Sequence, residues 1–256
     1  MMRGLVLLAV ALSLLQSLAS AQEPAASPTF SEEQIAKWKT ALKSTDIDLK
    51  CQAVWALGLA RETSAVAEIA LIFNETRWEL WGAAAWALGN IKSEDALQAL
   101  VVRASEPKYG RYVGLALGEH GAPAAVLPLI AMLKSSDEDS RGAGAAALGR
   151  AKDARAIEPL LPLLDDRAIF TAVSYNSVQW NPQKARVVAE VMLSGVAVRS
   201  AALDALVQIN DRRALAPVEA KLASEPDDKF RGALSAAVDK LRTAPMPKSP
   251  VKRKPG

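Results

Sequence analysis

The chain has 256 residues, half of them apolar and 23% charged, with a formal net charge of +3. A balance this near neutral excludes the broad basic surface of a nucleic-acid binder. A single cysteine and a single histidine exclude a transition-metal site built on those ligands.

Met1 to Ala21 opens with Arg3, continues as an apolar run from Leu5 to Leu15 and closes on Ala19-Ser20-Ala21. This is the layout of a secretory signal peptide, with cleavage expected before Gln22. The apolar run falls short of the ~20 residues that a membrane span needs, and no cysteine follows it as a lipoprotein would require. The mature chain is therefore expected to be secreted or periplasmic, with no integral membrane segment. Residues 22–30, with two prolines among Ala and Ser, read as a linker. At Ser31 a capping box with Gln34 starts the first helix, and Phe30 is placed to staple against Ile35. The folded domain is expected over residues 31–242.

Within that domain the tripeptide Ala-Leu-Gly recurs with its glycine at Gly58, Gly89, Gly118 and Gly149, a period of 31, 29 and 31 residues. Weaker copies place Val207 and Asp239 in register, 58 and 90 residues after Gly149. Self-similarity on this scale signals a solenoid. Two residues before the reference position stand Ala56, Ala87, Ala116, Ala147, Ala205 and Ala237; one before it stand Leu57, Leu88, Leu117, Leu148, Leu206 and Val238. With the residues nine and five before, these form an i, i+4, i+7, i+8 apolar stripe, the mark of an amphipathic helix. Its small Ala and Gly members allow close helix approach, and each reference glycine is expected to end its helix in the left-handed conformation. A second apolar-periodic segment precedes each such helix, as in Asp153 to Leu164. No sustained two-residue alternation suggests a strand. The expected fold is all-α, an array of about seven helical hairpins, with one poorly marked repeat between Leu160 and Val178.

Asp137 and Arg141 followed by Ala145-Ala146-Ala147-Leu148-Gly149 resemble the HEAT-like repeat of the phycobilisome-lyase type, and Asp227 with Arg231 and Asp46 with Lys50 repeat the four-residue spacing. The resemblance covers about Ser31 to Arg242. It implies an α-solenoid in which the Asp and Arg form a ladder between stacked repeats and the second helix of each pair lines a concave surface. Some members of that group attach bilins to phycobiliproteins and some related solenoids are DNA glycosylases. The export signal argues against both activities here, since neither substrate occurs in that compartment.

Residues 243–256 hold four basic residues, four prolines and no acid, and are expected to be disordered. Arg3 and these four account for five of the 31 basic residues, against 28 acidic ones. The body is thus slightly acidic, and only the tail suits contact with anionic envelope components.

Cys51 and His120 lie two repeats apart, too far to form a catalytic pair. The acidic clusters Asp137-Glu138-Asp139, Asp165-Asp166 and Asp227-Asp228 fall where helices begin, which suits capping. Neither a catalytic residue nor a cofactor is expected. Trp55 and Trp86 share a column three before the reference position, where other repeats carry Leu115, Ala146, Asp204 and Ala236. A column so variable is expected to face solvent on the second helix, together with the column seven before, which holds Cys51, Gly82, Arg111, Gly142, Ser200 and Gly232. Trp78 and Trp81 flank the second repeat's helix. Either the tryptophans form an aromatic ligand patch, or they close the exposed end of the array. Phe170 to Trp180 is the second candidate: Tyr175 and Trp180 stand beside Asn176 and Gln179, a mixture fit for a peptide or glycan, or else a long turn with its own packing. The sequence thus predicts a non-catalytic scaffold holding a protein partner through Trp55, Trp86, Trp81, Arg111, Tyr175 and Trp180, with an envelope glycan or polymer as the alternative ligand.

Overall fold

The computed structural model describes residues 29–245 except 182, 183 and 185. The expected signal peptide, the linker up to residue 28 and the tail beyond residue 245 lie outside the described residues.

Twelve α-helices stack as six pairs among the described residues: α1 (Glu32–Ala41) with α2 (Ile47–Ala60), α3 (Val66–Leu71) with α4 (Trp78–Ile91), α5 (Glu94–Ala104) with α6 (Gly110–His120), α7 (Val126–Met132) with α8 (Glu138–Ala151), α9 (Ile157–Leu160) with α10 (Val198–Ile209), and α11 (Leu215–Ser224) with α12 (Asp228–Arg242). The second helices pack in order, α2 on α4, α4 on α6, and so on to α12. Five of these helices begin at a side-chain oxygen acceptor. Ser31 and Gln34 exchange both bonds of a capping box. Asp46, Ser93, Asp137 and Asp227 each accept from the backbone N–H three residues on.

The Ala and Leu columns form the core, with no member more than 4% exposed. At roughly 1.5–3 kcal/mol per buried leucine, this stripe is the main favourable term in the fold. Because each helix buries it only against its neighbours, stability is shared along the array. Leu49, nine before Gly58 in the end pair, is 45% exposed.

The reference glycines do not end their helices. Each lies inside, and the left-handed residue comes three positions later, at Arg61, Lys92, Gly121 and Lys152, as Asn210 comes three after Val207. What the glycines supply is proximity. A Cβ on Gly58 would sit 2.8 Å from the Ala87 Cα, one on Gly89 2.9 Å from the Ala116 carbonyl oxygen, and one on Gly149 2.9 Å from the Ala205 Cα. The expected ladder joins four of the five junctions between successive pairs. Lys50 reaches Glu75, Arg141 reaches Asp166 and Arg199 reaches Asp227, each at 2.6 Å, and Arg111 pairs with Asp139.

The anticipated poorly marked repeat is not helical. A β-hairpin, β1 (Ile169–Asn181) and β2 (Arg186–Ala197), is inserted between α9 and α10. It spans 29 residues, close to one repeat period, which is why the spacing from Gly149 to Val207 imitates two repeats and the count of pairs is six rather than about seven. The domain also extends past Arg242: Ala244 is 4% exposed, and the Arg212 N–H donates to the Pro245 carbonyl at 3.3 Å.

Candidate interaction surface

Thirteen residues at about 3.3 Å each let β1 reach about 40 Å, the width of four helix layers at about 10 Å. The strand uses that length to run back from the fifth pair across the second helices to the first. At α8 the Phe170 ring lies over Gly142, where a Cβ would come within 2.1 Å of it, and the Thr171 N–H donates to the Asp139 carboxylate at 2.6 Å. At α4 the Tyr175 hydroxyl donates to the Gly82 carbonyl at 3.0 Å. At α2 the Gln52 amide clamps the backbone of Val187, accepting its N–H at 2.7 Å and donating to its carbonyl at 3.1 Å. At α1 the Trp180 ring stands 5.5 Å from Trp38 and 5.4 Å from Phe30. Arg111, Leu115 and Ala146 line a small cleft of about 60 Å³ against Phe170 to Val173.

Trp55 and Trp86 come together as their shared column predicts, with ring centroids 4.8 Å apart. They do not face solvent. Tyr175 packs on both, 5.5 Å from Trp55 and 6.5 Å from Trp86, and Trp55 is left 8% exposed. The column is variable because Trp55, Trp86, Leu115 and Ala146 are buried or half-buried while Asp204 and Ala236 are surface. Burial, then the neighbouring Tyr112 hydroxyl, pushes the Tyr175 phenol well above its ordinary value, so it remains a donor throughout the physiological range. Trp81 belongs elsewhere. Its indole N–H donates to the Glu75 carbonyl at 2.8 Å and its ring meets Tyr109, away from the hairpin. Arg111 is held by Asp139 and lies over the Tyr112 ring. Burial, then Asp48 and Glu79, raises the Cys51 thiol, which makes it a poor nucleophile.

Sequence reasoning missed Gln52, Gly82, Asp139 and Gly142 as the docking points of the hairpin. It also missed the exposed apolar run Val191, Met192 and Leu193 on β2, at 45%, 51% and 54% exposure. A readable signal existed in the local crowding of Val, Ile and Thr between Ile169 and Val196.

No helix among the described residues is long and apolar enough to cross a membrane. Helical pairs that bury a continuous stripe only against their neighbours define a helical-repeat scaffold. The family model for HEAT repeats matches residues 35–112 and 101–173, more than half of the chain, and the chain belongs to that family. Among solved structures, an engineered protein is 18% identical, with 84% of this chain and 99% of that one covered and a TM-score of 0.49. The complex of CpcE and CpcF of phycocyanin lyase from Nostoc sp. PCC7120 is 22% identical, with 86% and 68% covered and a TM-score of 0.46. No curated protein matches the chain by sequence.

Proposed function

We propose that the protein is an exported, non-catalytic scaffold that holds a protein partner on its second-helix face, the concave surface of the HEAT resemblance. One observation carries this reading: an extended segment, the chain's own β1, already lies across these helices and is held by side chains and backbone groups of successive layers. The face is built to take extended polypeptide. Beyond the hairpin, α10 and α12 continue it with Asp204, Gln208, Gly232 and Ala236 exposed, and a Cβ on Gly232 would meet nothing within 4 Å. A partner segment would lie there, end to end with the hairpin. In this reading Trp55, Trp86, Tyr175 and Trp180 act indirectly, by anchoring the hairpin against which the partner rests. Export rests on the signal-peptide pattern of residues 1–21, and the absence of catalysis on the separation of Cys51 from His120.

The test is cross-linking of the mature chain in an envelope extract of the exporting cell. Partner peptides should map to α10 and α12, and Gly232→Trp with Ala236→Arg should abolish them at unchanged melting temperature. Cross-links that persist in the double variant would sink the reading. A second reading, an envelope glycan as ligand, is favoured by a cleft of about 640 Å³ lined by Trp38, Trp180, Gln52, Lys37 and Arg186. There, Trp180→Ala and not Gly232→Trp would remove binding.

A further inference from the structure

β2 is an edge strand whose outward side is open over its middle. In an antiparallel pair, residues at non-hydrogen-bonded positions turn their N–H and C=O away from the partner strand. Gln52 holds the N–H and C=O of Val187, which fixes Val187 as outward-facing. The alternation then turns Ala189, Val191, Leu193 and Gly195 outward as well, opposite Val178, Tyr175, Val173 and Thr171. Residues 189 to 195 are all exposed. Apart from Glu190 this stretch carries no charge, and it has no proline, so it lacks most of the devices that normally protect an edge.

The sequence of that stretch, Ala189-Glu190-Val191-Met192-Leu193-Ser194-Gly195, reads nearly the same from either end. Small residues stand outermost, then polar ones, then branched apolar ones, with Met192 at the centre. We infer that β2 pairs antiparallel with β2 of a second copy about a two-fold axis at Met192, making a four-stranded sheet. A two-fold interface requires self-complementarity, and this register supplies it. Ala189 falls opposite Gly195 and Val191 opposite Leu193, each pair exchanging both backbone hydrogen bonds. On the other face Met192 meets Met192 and Glu190 meets Ser194, so no like charges are opposed. Shifting the centre one residue toward Val187 would bring Val187 into the ladder, where its groups are already held by Gln52. A seven-residue edge is small beside the roughly 800 Å² per partner of a standard interface, so a micromolar dimer is expected. The inference is independent of the partner proposed for α10 and α12.

The test is sedimentation equilibrium of the purified chain from about 1 to about 300 µM, a span that brackets such a weak interface. The wild type should pass from monomer toward dimer. Val191→Lys with Leu193→Lys places like charges opposite each other and should hold the chain monomeric. Val191→Lys with Leu193→Glu places Lys opposite Glu in this register alone and should restore part of the dimer. Both side chains are exposed, so the melting temperature should not move in either variant. A wild type monomeric throughout, even if β2 captures an extended peptide of another chain, overturns the inference. So does a dimer that survives the Lys/Lys variant, or one that the Lys/Glu variant fails to restore.

Discussion

Gly142 and Gly232 occupy the same place in their repeats, seven residues ahead of the reference position, and their surroundings could hardly differ more. Over Gly142 lies the Phe170 ring; over Gly232 there is open space. The column three before the reference position divides in the same way, with Trp55 buried and Trp86 half-buried under Tyr175 and with Asp204 and Ala236 exposed. One half of the second-helix face is core because a hairpin from the fifth pair folds back on it. The other half remains surface. Variability within a column therefore does not report exposure in this molecule: it reports where along the array the hairpin stops.

The largest effect should come from a column that both halves share. Leu148 and Leu206 have no exposed surface, and an unpaired buried charge costs about 3–5 kcal/mol, a large share of the ~5–15 kcal/mol that holds a typical protein folded. Leu148→Asp and Leu206→Asp should each unfold or nearly unfold the chain in denaturant melts, whereas Ala146→Asp, on the half-buried flank of α8, should cost far less. Similar losses at Leu148 and Ala146 would mean that stripe and flank are not distinct.

Next comes the column that divides. Trp55→Ala removes a large side chain from under the hairpin, at about 3–5 kcal/mol, while Asp204→Ala at the equivalent exposed position should stay within about 0.5 kcal/mol of wild type. Limited proteolysis within the hairpin should accelerate only in the first. If Trp55→Ala leaves both melt and cleavage unchanged, the hairpin is not held by this face.

A smaller pair of effects should have opposite signs. Gly232→Ala adds a methyl group where nothing stands within 4 Å and relieves a glycine inside a helix, so it should stabilise by about 0.5–1 kcal/mol. Gly142→Ala drives a methyl group into the Phe170 ring and should destabilise by about 1–3 kcal/mol. Two shifts of the same sign in differential scanning calorimetry would erase the contrast between the halves.

The periodic part of this fold was legible because helix stacking writes the same residues in every unit. Ala147 and Leu148 face a neighbour that carries Ala205 and Leu206, so burial repeats with the period. The hairpin was not legible for two reasons. Its length is close to one period, so spacing alone cannot distinguish it from a degenerate repeat. Its strands lack clean alternation because β1 lies against the helices while three successive residues of β2, Val191 to Leu193, are apolar and exposed. The site was legible only in part. Trp55, Trp86, Tyr175 and Trp180 are indeed gathered around one face, but what they bind there is the same chain, and a contact between Tyr175 and Gly82 leaves no mark in local sequence. In the sequence a reference glycine reads as a helix stop, because a glycine near a helix end serves either purpose; in the fold its lack of a side chain admits the close approach of Ala87, Ala116 and Ala205.

The smallest expected effect is electrostatic and belongs to the half without the hairpin. There the last two pairs are joined by an ion network. The Glu225 carboxylate, 1% exposed, meets Lys221 at 2.7 Å and Arg199 at 3.6 Å, and Asp227 meets Arg199 at 2.6 Å. The hydrogen bond from Arg199, helped by the Phe230 N–H, lowers Asp227 from 3.8 to about 2, and the bond from Lys221 holds Glu225 below its ordinary 4.5. A carboxylate lowered in the folded state stabilises above its unfolded value, and that contribution is lost as pH falls through the folded one. Stability of α10 to α12 should therefore be flat above about pH 5 and decline between about pH 4.5 and pH 2. The contact of Trp55, Trp86 and Tyr175 has no carboxylate in it and should hold over the same range. Hydrogen exchange at stepped acid pH separates the two: amides of α11 and α12 should lose protection before that of Val187, whose acceptor is the neutral Gln52 amide. Simultaneous loss would mean that hairpin and ladder unfold as one unit, and the two halves would differ in composition but not in energetics.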